Sequence, residues 1–168
     1  MGVAPASMTD ILEQTEQAYQ GDHHRPLGGY VRILAAYGGV VAAAAAAAAI
    51  TGRRPPERIS VMDLVLMACC THKASRRLAK DPVTSPIRAP FTRYEGESGP
   101  AEVQEAPRGP IGELLACPFC LAQWTATGYA IGMVFAPRVT RLAGATMTAV
   151  AVSDWLQLAY AKLMKSAS

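Results

Sequence analysis

Long, mostly apolar stretches alternate along the chain with short clusters of Arg and Lys. Four of these stretches approach the length of a membrane span, and they cover residues 33–51, 59–78, 114–136 and 142–161. About twenty apolar residues cross the hydrocarbon core of a bilayer as a helix. The pattern therefore predicts an all-α, polytopic membrane protein with about four transmembrane helices. It divides the chain into a cytoplasmic N-terminal segment 1–32 and a membrane domain 33–168, whose proline-rich loop 79–113 is cytoplasmic.

The four stretches differ in how well they suit a bilayer. The first contains the alanine run 42–49, whose small side chains bury little apolar area, so a buried helix of a soluble bundle is the competing interpretation. The second starts near Asp63 and ends in basic residues, so it spans only if both ends reach the interfaces. The third has no charge and is the strongest candidate, and the fourth has one internal acid, Asp154.

Composition and charge support a lipid environment. The chain has 168 residues, of which 51% are apolar and 17% charged, against about a quarter charged in soluble domains. Its Lys and Arg residues fall between apolar runs, which argues against a nucleic-acid interface. With four spans, an inside N-terminus puts eleven of the 16 Lys and Arg residues on the cytoplasmic side. The positive-inside rule then predicts cytoplasmic termini and a cytoplasmic loop for a protein of the inner (cytoplasmic) membrane.

A short amphipathic helix is predicted before the first span. Ser7 and Asp10 have the spacing of a capping box, and apolar residues recur at helical intervals from Ile11 to Gly21. Because the polar face is acidic, binding to anionic lipid is disfavoured, and we expect this helix to pack on the body of the protein or on a partner.

Small residues at helical spacing occur in two of the predicted spans. Gly38, Ala42 and Ala46 line one side of the first span, and Gly128 and Gly132 form a GxxxG pattern in the third. Such faces let helix backbones approach closely in lipid. They serve as contact faces within the protein or between copies, or they arise by chance in spans rich in Gly and Ala.

Two acids lie in or near the predicted spans. Asp154 is deep in its apolar run, where an ionised carboxylate is costly unless it is paired or faces a polar interior. Either it has a functional role, or it bonds across helices to Thr125, Thr127 or Arg141. Asp63 is expected to be a solvated acid at a helix end.

The sequence Cys117-Pro118-Phe119-Cys120 is a CxxC motif at the entrance to the third span. A helix that begins at Pro118 places Cys117 beside unpaired backbone N–H groups, which favour the thiolate. A helix that begins near Pro110 instead makes Pro118 a kink and Cys117 an ordinary buried thiol.

The predicted topology brings Cys69, Cys70 and His72 to the same leaflet as Cys117 and Cys120. Three or four of these side chains could form a tetrahedral zinc site, although adjacent cysteines on a helix point about a hundred degrees apart. Disulfide exchange by the CxxC pair and simple packing of the thiols are the alternatives.

The middle loop combines prolines with basic residues. Its prolines favour an extended, polyproline-like track over a regular helix between residues 80 and 96. Arg76, Arg77, Arg88 and Arg93 are candidates for binding anionic lipid head groups or a partner. The alternative is that they only set the orientation of the protein in the membrane.

Several short motifs occur in an order that resembles a known family. They are Asp63, Thr71-His72-Lys73, Ser75-Arg76, Asp81, Thr84, Pro86, Arg88, Pro90-Phe91, Gly112-Glu113-Leu114-Leu115, Cys117-Pro118-Phe119-Cys120-Leu121 and Trp124. Together they resemble a bacterial integral membrane family of the domain-of-unknown-function series, number thirteen-sixty, over about residues 59–161. The resemblance implies a membrane protein and singles out the arginines and cysteines, but it gives them no role, because the family has no established activity.

These patterns favour a non-enzymatic role. No phosphate-binding loop, catalytic Ser/His/Asp arrangement or HExxH helix occurs, so no catalytic residue is identified and no cofactor is expected apart from the zinc alternative. We expect a structural or assembly subunit in the lipid bilayer that packs with itself or with another membrane protein. The alternative is a thiol site at the cytoplasmic leaflet, for disulfide exchange or zinc binding.

Overall fold

Helices account for most of the chain, as the apolar pattern predicts. The computed structural model describes residues 7–20 and 25–167. Its helices in these ranges are α1 (Met8–Gln20), α2 (Leu27–Thr51), α3 (Val61–Lys80), α4 (Ser85–Arg88), α5 (Gly109–Ala116), α6 (Pro118–Phe135) and α7 (Pro137–Ala167). A hairpin of β1 (Thr92–Gly99) and β2 (Glu102–Pro107) joins α4 to α5. The mostly helical architecture is confirmed, and the hairpin corrects the expectation of an all-α fold.

Helix α1 begins with the predicted capping box. The Asp10 amide donates to Ser7 Oγ at 3.2 Å, and the Ser7 amide donates to Asp10 Oδ2 at 2.9 Å. The helix ends at Gln20, and the predicted end at Gly21 lies outside the described residues. Glu16 accepts a hydrogen bond from the Gly28 amide at 3.4 Å, so α1 contacts the start of α2.

Helix α2 is the one helix in the described ranges that is by itself long and apolar enough to cross a membrane. Its C-cap residue is Gly52, which has a φ of 67° and donates to the Ala49 carbonyl, while Arg53 donates to the Ala48 carbonyl. Helices α5 and α6 form a second candidate if they are one broken span, since they meet at a bend of 78°. These candidates are fewer than the four predicted spans.

Helices α3, α6 and α7 pack together at the centre of the structure. The buried cluster consists of Cys70, Tyr129 and Met133, with Met67 and Met147 against it. A Cβ added at Gly132 would lie 2.5 Å from Thr140 Oγ1 of α7, whereas one added at Gly128 would meet nothing within 4 Å. Gly132 therefore lets α6 approach α7 within the chain, and Gly128 does not take part in this contact.

Both acids of the apolar segments are paired with a basic side chain. Asp63 is only 8% exposed and accepts from Arg141 Nε at 2.7 Å and Nη2 at 3.1 Å, so the expectation of a solvated acid is wrong. Asp154 accepts from Lys73 across α3 and α7, which corrects the predicted partners Thr125, Thr127 and Arg141. The reason is that α3 and α7 lie side by side, so that Arg141 of α7 meets Asp63 of α3 and Lys73 of α3 meets Asp154 of α7.

The middle loop is folded, which corrects the expectation of an extended, polyproline-like track. Pro82 and Pro86 lie in the first turns of a 3₁₀ helix (Pro82–Thr84) and of α4, where a missing N–H costs nothing. The two antiparallel strands that follow are joined at a turn in which Ala101 has a φ of 57°. Gly112 of α5 lies against the backbone carbonyl of Phe91 and leaves no room for a Cβ, so the hairpin region packs closely on α5.

Candidate functional site

Arg88 lies at the centre of a buried polar network, where its residue surface is 0% exposed. Its partners are Glu105 Oε2 (2.8 Å, from Nε) and Oε1 (2.9 Å, from Nη2), Leu78 O and Thr84 Oγ1 (2.6 Å each, from Nη1), and Asp81 O and Ser85 Oγ (3.1 Å each, from Nη2). Each guanidinium nitrogen therefore has a partner within the protein. The expectation that Arg88 binds lipid or a partner is wrong, because no surface of its side chain is available.

Glu105 completes this network from β2. Besides its two bonds to Arg88, it accepts hydrogen bonds from Thr92 Oγ1 at 2.9 Å and Ser85 Oγ at 3.1 Å. The hydrogen bonds from Arg88, and then those from Thr92 and Ser85, hold the pKa of the Glu105 carboxyl below its usual value of 4.5, although burial acts in the opposite direction. The network joins the end of α3, α4 and both strands, which makes it a structural anchor.

The other three predicted arginines lie at the surface, and each has an acidic neighbour. Their ion pairs are Arg76 with Glu102, Arg77 with Asp81 (3.3 Å) and Arg93 with Glu95 (3.0 Å). All three side chains are more than two-fifths exposed, so water screens these ion pairs. The acidic partners are therefore weak competitors against other anions for the three arginines. Binding of lipid or a partner by these three residues stays a prediction.

The chain bends sharply at Cys117, between α5 and α6. Both of the alternative helix starts occur. One helix begins at Gly109 and ends at Ala116, and a new one begins at Pro118. Cys117 is the extended N-cap residue of α6, and its Sγ accepts the Cys120 N–H at 3.1 Å. The two sulfur atoms are within disulfide-bonding distance, with Cα atoms 5.2 Å apart. Cys117 is half-buried and Cys120 is exposed.

The remaining members of the predicted zinc site do not join this pair. Cys70 is buried in the α3–α6 contact and Cys69 is half-buried beside it, both as free thiols. His72 lies against Trp155, with ring centroids 6.1 Å apart. In residues 7–20 and 25–167 there is no group of three or more His, Cys, Asp or Glu side chains placed to hold a metal ion. In the described part of the chain the Cys117–Cys120 pair therefore lies at a disulfide distance and does not form the predicted zinc site with Cys69, Cys70 and His72.

A cleft of about 490 Å³ separates α2 from the α5–α6 bend and reaches the CxxC motif. It is lined by Tyr30, Ile33, Leu34, Tyr37, Pro110, Glu113, Leu114, Cys120, Gln123 and Trp124. Apolar and aromatic side chains form most of its walls. We name it the α2 cleft.

Polar side chains are concentrated at two points of the α2 cleft. Tyr30 Oη donates to Glu113 Oε2 at 2.6 Å. Gln123 Nε2 donates to Tyr37 Oη at 2.7 Å, and the Tyr37 ring meets the Trp124 ring edge to face at a centroid distance of 5.2 Å. Glu113 and Trp124 belong to the motifs that carry the family resemblance, whereas Tyr30, Tyr37 and Gln123 were not predicted, although two tyrosines seven positions apart on one helix face carry a signal for a shared contact.

Comparison with known proteins identifies a family but no activity. Residues 66–160, more than half of the chain, match the family described as "Protein of unknown function (DUF1360)". The chain is also similar to the UPF0713 protein YngL of Bacillus subtilis (strain 168), with 24% identity over 86 residues. That alignment covers 49% of this chain and 66% of YngL, just under two thirds of the relative's length. No solved structure matches the chain. By the extent of the family match, the protein belongs to the DUF1360 family of unknown function.

Proposed function

We propose that this protein is a multi-pass membrane protein of the bacterial inner membrane that exchanges disulfides through Cys117 and Cys120. The observation that carries the proposal is the position of the pair at the start of α6. Cys117 is the N-cap residue, its sulfur accepts a backbone N–H, and Cys120 is exposed within disulfide-bonding distance. Helix N-termini and CxxC motifs both stabilise the thiolate, which is the reactive form of cysteine.

Several features support the membrane part of the proposal. Helix α2 is apolar and exposed along most of its length, and α5 with α6 forms a broken apolar segment beside it. Helices α3 and α7 contain charges inside their apolar stretches, but Asp63 is paired with Arg141 and Asp154 with Lys73. Pairing of this kind lowers the cost of a charge in lipid. The excess of Lys and Arg favours a cytoplasmic side for the hairpin and both termini.

The exposure of the two residues, Cys117 half-buried and Cys120 exposed, suggests which sulfur a partner attacks. A thiolate of a partner protein attacks the exposed Cys120 sulfur of the disulfide, and a new S–S bond joins Cys120 to the partner. The Cys117–Cys120 bond breaks, and its electron pair goes to Cys117, where the Cys120 N–H and the α6 terminus stabilise the thiolate that leaves. The partner's second thiol then attacks the mixed disulfide, so the partner is oxidised and the CxxC pair is reduced to two thiols.

Location also favours a redox role over a structural disulfide. A reducing cytoplasm keeps structural cysteines as thiols, and disulfides found there are mostly transient, catalytic or redox-sensing. The role of an assembly subunit stays a prediction. Of its candidate faces, Gly132 packs against α7 within the chain, while Gly38 and Gly128 face open space.

A thiol titration in a Cys69→Ser, Cys70→Ser variant tests the proposal, because only the CxxC pair then remains. Membranes are first washed with carbonate, and the protein that stays in them is extracted. It is then equilibrated with reduced and oxidised glutathione and alkylated with a maleimide reagent that adds mass. We expect both thiols to disappear together as one two-electron couple. A pair that stays reduced under every oxidising ratio, or a protein released by carbonate, would contradict the proposal.

The two single serine variants test the direction of exchange. After incubation with an oxidised test protein, Cys117→Ser retains the exposed Cys120 and should accumulate a mixed disulfide at least tenfold faster than Cys120→Ser. Equal accumulation, or preference for the half-buried Cys117, would contradict the assignment of Cys120 as the sulfur that forms the mixed disulfide.

A further inference from the structure

Resting on the disulfide exchange proposed above, we propose that the α2 cleft binds a membrane quinone, which reoxidises the reduced Cys117–Cys120 pair. Exchange with a partner leaves two thiols, so the cycle needs an oxidant. Cys120 belongs to the wall of the cleft as well as to the reactive pair. A molecule seated in the cleft therefore lies beside the sulfur atom that must be oxidised.

The size and walls of the cleft suit a quinone ring. Its volume of about 490 Å³ is within the range of roughly 300–1,000 Å³ that is usual for small-molecule sites. The edge-to-face pair of Tyr37 and Trp124 provides aromatic surface, and Leu34 and Leu114 add apolar surface to the walls. A flat ring with a hydrocarbon tail can stack on the first and pack on the second.

The polar groups of the cleft suit one carbonyl oxygen of a quinone and one hydroxyl group of the quinol formed from it. The Gln123 amide has two N–H groups, one of which is donated to Tyr37, so the second can be offered to a ligand. Glu113 and Tyr30 form a second polar point in the same cleft; because the Tyr30 hydroxyl is donated to Glu113, this point accepts a hydrogen bond, as from a hydroxyl group of the quinol. A lipid acyl chain has no carbonyl near its middle to use either point, which favours a quinone as the occupant.

Access from lipid follows from the position of α2. This helix forms one wall of the cleft, and its residue Leu34 is 69% exposed. In a bilayer that surface faces hydrocarbon, where isoprenoid quinones dissolve. The ligand can therefore enter sideways between α2 and the α5–α6 bend.

The chemistry balances without a further reactant. Two S–H bonds break and one S–S bond forms between Cys117 and Cys120, which releases two electrons and two protons. The quinone accepts both electrons and both protons, and its two carbonyl groups become the hydroxyl groups of a quinol. The disulfide is then ready for another exchange with a protein dithiol.

Oxidation of the reduced protein by decylubiquinone tests the proposal, because the ring positions of this quinone are all substituted and resist direct addition of thiols. We expect one quinol to form for every two thiols lost. Leu34→Trp fills the cleft and should slow this oxidation at least tenfold, while the matched variant Leu158→Trp, at an exposed position of α7, should not. Neither variant should change the glutathione titration of the CxxC pair.

Binding is measured separately in a Cys117→Ser, Cys120→Ser, Trp155→Phe variant, where Trp124 is the remaining tryptophan. Saturable quenching of its fluorescence by decylubiquinone supports the proposal. Thiols that titrate normally with glutathione but show no quinone binding would overturn the quinone site and leave the disulfide exchange intact. Quenching that an excess of fatty acid abolishes in this variant, together with no quinol formation by the protein that keeps Cys117 and Cys120, would show a lipid-binding groove only and would also overturn the quinone site. Thiols that never cycle would refute the exchange itself, whatever the quinone does.

Discussion

Replacing Glu105 with Gln should open the hairpin, because it removes the countercharge of a buried arginine while keeping the shape of the side chain. Arg88 and Glu105 share two charge-assisted hydrogen bonds, and their side chains are 0% and 5% exposed. Each such bond contributes about 1.5–3 kcal/mol, and the amide can keep one of them only in a weaker form. Loss of one partner of a buried pair costs about 3–5 kcal/mol in total, since the remaining charge stays buried.

Hydrogen exchange of the hairpin amides measures this cost directly. If the hairpin opens as a local unit, 3–5 kcal/mol corresponds to exchange that is faster by about 150- to 5,000-fold. The matched control is Glu95→Gln, which breaks the exposed pair with Arg93 in the same hairpin and should change exchange by less than about fivefold. Equal exchange rates in the two variants would refute the assignment of the Arg88 network as the anchor.

Three further outcomes are expected. Because the folded protein holds the pKa of Glu105 below 4.5, the stability from this carboxylate is complete above that pH and is lost as the pH falls through the lowered pKa. The protection of the hairpin amides, which is their exchange relative to the intrinsic rate at each pH, should therefore fall in acid, but not in Glu105→Gln. Thermal unfolding in detergent should show Gly132→Ala destabilised by about 1–3 kcal/mol and Gly128→Ala unchanged or more stable by roughly 0.5–1 kcal/mol. Asp154→Asn should destabilise the protein, and a double-mutant cycle with Lys73→Met should give a coupling of about 0.6–1.7 kcal/mol; additive effects would contradict the ion pair.

The helices that the sequence predicts best are those specified by local chemistry. Long apolar stretches located α2, α3, α6 and α7, since an apolar run is a property of neighbouring residues. The same is true of the capping box of Ser7 and Asp10 at α1. Pro118 correctly marked a helix start, because proline tolerates the first turn of a helix.

The parts that the sequence analysis missed depend on distant residues. The strands of the hairpin lack a regular alternation of apolar and polar positions, and Arg88, in the preceding helix, contacts one of them through Glu105. Nothing near Asp63 or Asp154 names Arg141 or Lys73 as a partner, because the choice depends on how α3 lies along α7. The α2 cleft likewise exists only once α2 meets the α5–α6 bend.

The side-chain hydrogen bonds that hold α2 against α5 and α6 are all in the first half of the helix. They come from Tyr30 and Tyr37, whereas the slender alanine-rich half extends beyond them for about 20 Å at 1.5 Å per residue. A force on the far end turns the helix about these two tyrosines. In the membrane arrangement proposed above, stretching or thickening the bilayer should therefore change the width of the opening beside Cys120, coupling the mechanical state of the membrane to the accessibility of this residue.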